Sequence, residues 1–268
     1  MDIKKALFIT QEISPYLPSG RVADLNRIVS QGIVESGVEV RTFMPKYGMI
    51  NERRNQLHEV IRLSGLNIVI DDNDHPLVIK VATLQPSRMQ VYFIDNEDFF
   101  GIGDNSRLEL YSRPADNDER IMFFVHGVIE TVKKLRWVPE LVHCTGWVTA
   151  LMPMYMRVMY ADDPTIRDTK IVYSLQGEPF EGNLDERFVE KLKMDGFSEE
   201  KLAEIGMDPF DFKKLNRLAI DHADAVIQAD SDFDNELVDY AKASGKPFLA
   251  YPGDEDYLTA YLDFYRSL

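Results

Sequence analysis

The first forty-five residues constrain the fold more tightly than any other part of the chain. Ala6-Leu7-Phe8-Ile9-Thr10 is a continuous apolar run, the pattern of a strand covered on both faces. A loop containing Pro and Gly, Glu12 to Gly20, follows it. Val22, Leu25, Ile28, Val29 and Ile33 then recur at helical spacing up to Gly37. Val38 to Met44 reads as a second strand, closed by Pro45. A strand, a helix and a strand in so short a span predict a right-handed parallel crossover, the unit of a doubly wound α/β sheet.

The rest of the chain continues that alternation. Leu66–Ile70, Leu77–Thr83 and Gln90–Ile94 are β-rich runs, and Asp71-Asp72-Asn73-Asp74 between the first two is a hairpin turn signal. Those four residues read as a solvated turn, because they lack the spacing and glycine of a calcium loop. Ile121 to Leu135 has an amphipathic helical period, Leu141-Val142-His143 is a strand, and Trp147 to Met159 reads as an apolar helix. Lys170–Leu175 and Ala225–Ala229 are further strands. Pro209–His222, Phe233–Lys242 and Asp254–Leu268 are helices. The expected fold is a Rossmann-like, doubly wound, mostly parallel sheet.

Charge and cysteine usage narrow the partners. Thirty basic against forty-five acidic residues give a formal charge of −15, which repels phosphate backbones and anionic lipid, so neither nucleic acid nor a membrane is expected. A phosphorylated small molecule stays admissible at a local helix terminus. A single cysteine, Cys144, permits no intrachain disulfide and fits a reducing compartment. The N-terminus shows no signal-peptide pattern, and no run approaches the length of a membrane span, so a cytoplasmic protein is expected.

In an open parallel sheet, ligands bind beyond the carboxyl ends of the strands. The loop after Thr10 holds Ser19, Gly20 and Arg21, followed by Asp24, at a helix N-terminus able to receive an anion, or simply making a turn with an exposed Arg21. The loop after the central strand reads His143-Cys144-Thr145-Gly146-Trp147, where His143 is either a general base or a hydrogen-bonded core residue. The loop after Leu175 offers Gln176 and Glu178, groups suited to sugar hydroxyls. His58, His75, His126 and His222 have no metal-ligand spacing, and no metal or cofactor is expected.

At these loops the chain resembles the opening of bacterial glycogen synthases and plant starch synthases. Lys5 through Tyr16 is similar to their K-x-L-F-V-x-x-E-x-x-P-F, and Val38-Glu39-Val40-Arg41 with Met44-Pro45-Lys46-Tyr47-Gly48 to their H-x-V-R-V-x-x-P-x-Y-G. Val91 to Asp95, Asp116-Asn117 with Arg120, Trp137 to His143, and Val172 to Leu175 continue the likeness over nearly the whole chain. The resemblance implies one half of a GT-B glycosyltransferase, the N-terminal acceptor-side domain over residues 1–268, with 254–268 as its closing helix. The family extends an α-1,4-glucan from ADP-glucose, and in those enzymes a second domain carries most of the nucleotide site. On this basis Asp116 and His143 are candidate catalytic residues, and Ser19, Gly20, Arg21, Asp24, Trp147, Gln176 and Glu178 candidate substrate contacts.

Departures from the family patterns accompany the matches. Pro18 stands where K-T-G-G-L-G-D-V has its lysine, and Arg21 where it has its second glycine; Gly20 and Asp24 persist. In H-x-H-D-W-H, His143 and Trp147 persist while Thr145, Gly146 and Val148 replace the rest. Removing one charge-stabilising group commonly costs about 2.7–4 kcal/mol in a transition state, so several losses together imply impaired or absent activity for this domain alone. The alternative is a non-catalytic glucan-binding or regulatory protein, with Trp147, Tyr16, Phe180 and Tyr47 either stacking on sugars or serving as core. Expected partners are an α-glucan or nucleotide sugar, and a separate nucleotide-domain protein or a second copy of the chain.

Overall fold

A computed structural model describes residues 3–101, 114–206 and 208–268. The first crossover is formed by β1 (Lys5–Thr10), α1 (Arg21–Glu35) and β2 (Glu39–Pro45), within a residue or two of the expected bounds. β1 pairs in parallel with β2, Ala6 opposite Val40 and Ile9 opposite Phe43.

Beyond β2 come β3 (His58–Glu59), β4 (Leu66–Ile70), β5 (Asn73–Leu84) and β6 (Met89–Asp95). Asp71 and Asp72, both at positive φ, make the two-residue turn from β4 to β5, a conformation that aspartate tolerates. β5 therefore starts at Asn73, earlier than the expected Leu77, because its first residues pair with β4 in a ribbon whose polar side chains need no burial. A short α2 (Glu97–Phe100) follows, then the long α3 (Pro114–Leu135).

The second half contributes β7 (Leu141–Thr145), β8 (Lys170–Leu175), β9 (Ala225–Gln228) and β10 (Phe248–Leu249). Strand order is β10-β9-β8-β7-β1-β2-β6-β5-β3, with β4 paired to β5. Every neighbouring pair from β10 to β6 is parallel, and only the edge around β5 is antiparallel. The expected doubly wound, mostly parallel sheet is thus the observed one. The chain leaves β1 toward β2 and later returns to β7 on its other side, which opens a crevice at the carboxyl ends of β1 and β7.

Between β7 and β8 the expected single helix is broken. Residues 147–159 run as a 3₁₀ turn, a short α-helical turn containing Pro153, and a π-helical turn. Proline has no amide hydrogen to donate, so a regular ladder cannot pass through it. Two unexpected helices, α4 (Phe188–Met194) and α5 (Glu199–Ile205), follow β8, and Ser198 caps α5 by accepting from the Lys201 amide. α6 (Phe212–His222), α7 (Asn235–Ala243) and α8 (Tyr257–Ser267) complete the chain.

The two faces of the sheet are covered differently. One carries α3, the broken segment and α6, burying Phe123, Phe124, Trp147, Tyr155 and Leu215. The other carries α1 and α8, burying Phe8, Val29, Ile33, Tyr261 and Tyr265. α8 approaches α1 closely at Gly32, where an added Cβ would lie 2.5 Å from a methyl of Leu258. Among the described residues, no helix is long and apolar enough to cross a membrane.

Candidate functional site

Three loops converge at the carboxyl ends of the strands, and the buried side chain of Gln11, just after β1, lies at their meeting point. A Cβ on Gly146, after β7, would sit 2.5 Å from Gln11 Oε1, and one on Gly177, after β8, 3.1 Å from Gln11 Nε2. Both glycines have positive φ, 76° and 91°. The close approach and the left-handed backbone together explain why glycine stands at these points.

Asp230, one loop further along the sheet after β9, joins the first loop to the third. Arg21 Nε donates to Asp230 Oδ1 at 2.7 Å, and the Gly177 amide donates to Asp230 Oδ2 at 2.9 Å. Arg21 also pairs with Asp254 at 3.3 Å and lies over the Tyr251 ring at 5.3 Å. Tyr251 and then Asp230 hold the guanidinium firmly charged, raising its pKa above the ordinary arginine value. The cation at the α1 N-terminus is therefore balanced inside the fold by carboxylates.

Gly20, extended, forms the N-cap of α1 without a side-chain cap bond. Ser19 Oγ donates to Asp24 Oδ2 at 2.5 Å, and that bond is the main cause holding Asp24 below the usual carboxylate range. Ser19, Gly20, Arg21 and Asp24 are thus brought together as one cluster. Gln176 is buried at the end of β8, and its Nε2 has no hydrogen-bond partner among the described residues. Glu178 is exposed beside it. A shallow cavity of 480 Å³ opens over this third loop, lined by Gly177, Pro179, Gly182, Asp211, Lys213 and Asp234.

His143 stands mid-strand in β7, 2 % exposed. Its Nε2 lies 2.5 Å from Ser174 Oγ and its Nδ1 2.8 Å from Tyr265 OH on α8, with Phe8 packed edge-on at 5.1 Å. Burial pushes its pKa down to about 3, so at neutral pH it is an uncharged ring with both nitrogens engaged. Asp116 sits in the first turn of α3, 62 % exposed, with Arg120 3.8 Å away. Trp147 is fully buried edge-to-face with Phe180, 4.9 Å between centroids. Tyr16 is buried as well and Tyr47 half-buried, so these four aromatics belong largely to the core.

Gln11, Asp230, Tyr251 and Asp254 escape the sequence reading. Asp230 follows a strand and obeys the same carboxyl-end rule as the other loops, so extending that rule to β9 finds it. The pairing of Arg21 with Asp230 spans 209 positions and carries no local signal. Asp71-Asp72-Asn73-Asp74 spans the β4–β5 turn, and among the described residues no three or more His, Cys, Asp or Glu side chains are grouped so as to hold a metal ion.

Comparison with known proteins places this arrangement. The family model described as the starch synthase catalytic domain matches residues 5–246. The glycogen synthase of Chlorobium chlorochromatii is 33% identical over 200 residues, which cover 71% of this chain and 39% of that protein. That of Chlorobaculum tepidum is 32% identical over 247 residues, covering 88% of this chain and 47% of its own. The chain thus spans less than half the length of these relatives. The solved catalytic domain of Starch Synthase IV from Arabidopsis thaliana, bound to ADP and acarbose, superposes with a TM-score of 0.72 at 16% identity, covering 93% of this chain and 51% of that one. That likeness establishes the fold, and the family match establishes kinship: the chain belongs to the starch synthase catalytic domain family.

Proposed function

We propose that this chain is the acceptor-side half of a glycogen- or starch-synthase-type glucosyltransferase, one that engages α-glucan while glucosyl transfer from ADP-glucose is impaired in the chain by itself. The observation that carries the reading is the double pairing of Arg21 with Asp230 and Asp254 at the α1 N-terminus. A diphosphate arriving there meets a cation already neutralised by carboxylates, and Pro18 supplies no second one. The enclosure of His143 removes a general base from the same site, since a base must reach the proton it abstracts. His143 in this reading is a packing residue that ties β7 to α8.

The remaining polar groups suit a neutral ligand. Gln176 Nε2, buried without a partner among the described residues, is a ready donor to a sugar hydroxyl, and Glu178 beside it an acceptor. Asp116, exposed in the first turn of α3, is the proposed catalytic carboxylate. We assign residues 1–268 to the acceptor-side domain and the segment 254–268 to its closing helix. The cytoplasm is the proposed compartment, in keeping with a single buried thiol. Affinity electrophoresis in glycogen-containing gels tests the binding claim: retardation supports it, and unchanged mobility removes it.

A second reading, a wholly non-catalytic glucan-binding or regulatory protein, draws on Gly146. The family pattern has aspartate there, and Gln11 now fills the space that any side chain would need. The two readings part on whether any Asp116-dependent transfer is detectable.

A further inference from the structure

A second pocket, of 180 Å³, shares Arg21 and Asp24 with the Ser19 cluster and lies between the N-terminal turns of α1 and the segment leading into α8. Tyr251 and Tyr257, both half-buried, and the buried Tyr261 supply its aromatic wall; Leu25 and Ile28 supply its aliphatic floor. Ile28 is 46% exposed, a large apolar side chain left uncovered. The tyrosines lie beyond residue 246, where the match to the family ends, so the aromatic wall comes from outside the matched segment while Arg21, Asp24, Leu25 and Ile28 come from within it.

Its size and charge select the ligand. A volume of 180 Å³ is below the roughly 300 Å³ at which drug-sized ligand sites begin, so the pocket holds one ring, and a nucleotide sugar exceeds it. Arg21 is the cation at its rim, against Asp24 and Asp254 in the lining and Asp230 behind it. One positive against three negative groups repels a phosphate or a carboxylate. Tyrosine rings beside carboxylates match the C–H face and the hydroxyl donors of an uncharged sugar. Tyr251 is already oriented, its hydroxyl donating to Asp254 at 2.6 Å, so little ordering remains to be done on binding.

We propose that this pocket binds a single uncharged hexopyranosyl unit, such as the end of an α-glucan chain, and excludes nucleotides. The inference rests on the glucan reading above for its natural ligand and on the pocket's own chemistry for its selectivity. A chain end held here would anchor glucan at the Arg21 edge of the crevice, beside the Gln176 loop rather than in it.

The test is amide chemical-shift mapping on the whole chain with methyl α-glucoside, maltose and ADP as probes. The expected result is that both saccharides shift Arg21, Asp24, Tyr251, Gly253 and Tyr257, and that ADP does not. Tyr251→Ala should weaken maltose binding by up to about tenfold, the loss of one good stacking contact. Asp254→Asn, at a carboxylate 77% exposed whose surface pairing contributes little to folding, should weaken it as well and serves should Tyr251→Ala fail to fold. Saturating saccharide that leaves those amides unmoved overturns the proposal, and so does ADP moving them. Glycogen-gel retardation that survives both substitutions, with the maltose shifts lost, returns the glucan reading to the crevice. Saccharide shifts in the pocket without any gel retardation sink the glucan reading and leave the pocket standing.

Discussion

Replacing His143 by glutamine should remove a defined part of the acid sensitivity of this fold. The buried imidazole has its pKa pushed down to about 3, whereas the unfolded chain presents a histidine near 6.5. As pH falls below 6.5 the unfolded state takes up a proton that the folded state refuses, so stability is lost from there down toward pH 3. Between pH 7 and pH 5 the linkage relation gives a loss of about 2 kcal/mol from this one group. Asp118 works in the opposite sense: burial lifts its carboxyl to about 6, a contribution present at low pH and lost as pH rises through that value. The wild-type curve alone therefore mixes two slopes, and the difference between wild type and His143→Gln isolates one. Glutamine offers amide bonds toward Ser174 and titrates nowhere in the range. Urea unfolding at both pH values, with the m-value checked for constancy, measures the difference. A variant that loses as much stability as wild type between pH 7 and pH 5 would refute the caged, neutral histidine and reopen a role for it in proton transfer.

Three other perturbations follow from the same geometry. Gly146→Ala combines positive φ with a Cβ 2.5 Å from Gln11 Oε1 and should cost roughly 1–3 kcal/mol, read as a lower urea midpoint, with Gln11→Ala recovering the steric part. Lys191→Met strips the partner 2.8 Å from fully buried Asp118 and should cost roughly 3–5 kcal/mol at pH 8, less below pH 6 where Asp118 takes up a proton. Asp230→Asn with Asp254→Asn frees Arg21, and calorimetric titration should show ADP binding gained by about tenfold, the worth of one charge-assisted bond; no gain would mean that the crevice excludes phosphate for another reason.

Much of the architecture is written locally. The run Ala6–Thr10 and the 3.6-residue period from Val22 to Ile33 specify β1 and α1 because burial on two faces and on one stripe leaves different patterns. The helix expected over 147–159 is misread because its apolar content reports burial, while Pro153 dictates the geometry. α4 goes unseen because Lys191 inside it is a charged residue buried against Asp118, an ion pair that breaks the apolar stripe, and α5 because it buries little beyond Leu202. Site residues follow the same division. Ser19, Gly20, Arg21 and Asp24 are adjacent in sequence and stay adjacent in space, but whether Arg21 is open to an anion is decided by Asp230 and Asp254, which only the fold brings near. His143 likewise reads as a core residue more readily than as a base, and Tyr265, from the last helix, closes over it.

Transfer of radiolabelled glucose from ADP-glucose into glycogen by the purified 268-residue chain bears most directly on the proposal that this scaffold has kept its glucan side and closed its phosphate side. The account predicts incorporation no greater than a blank without protein. Sustained incorporation that disappears in Asp116→Ala would contradict it and make the chain a working glucosyltransferase.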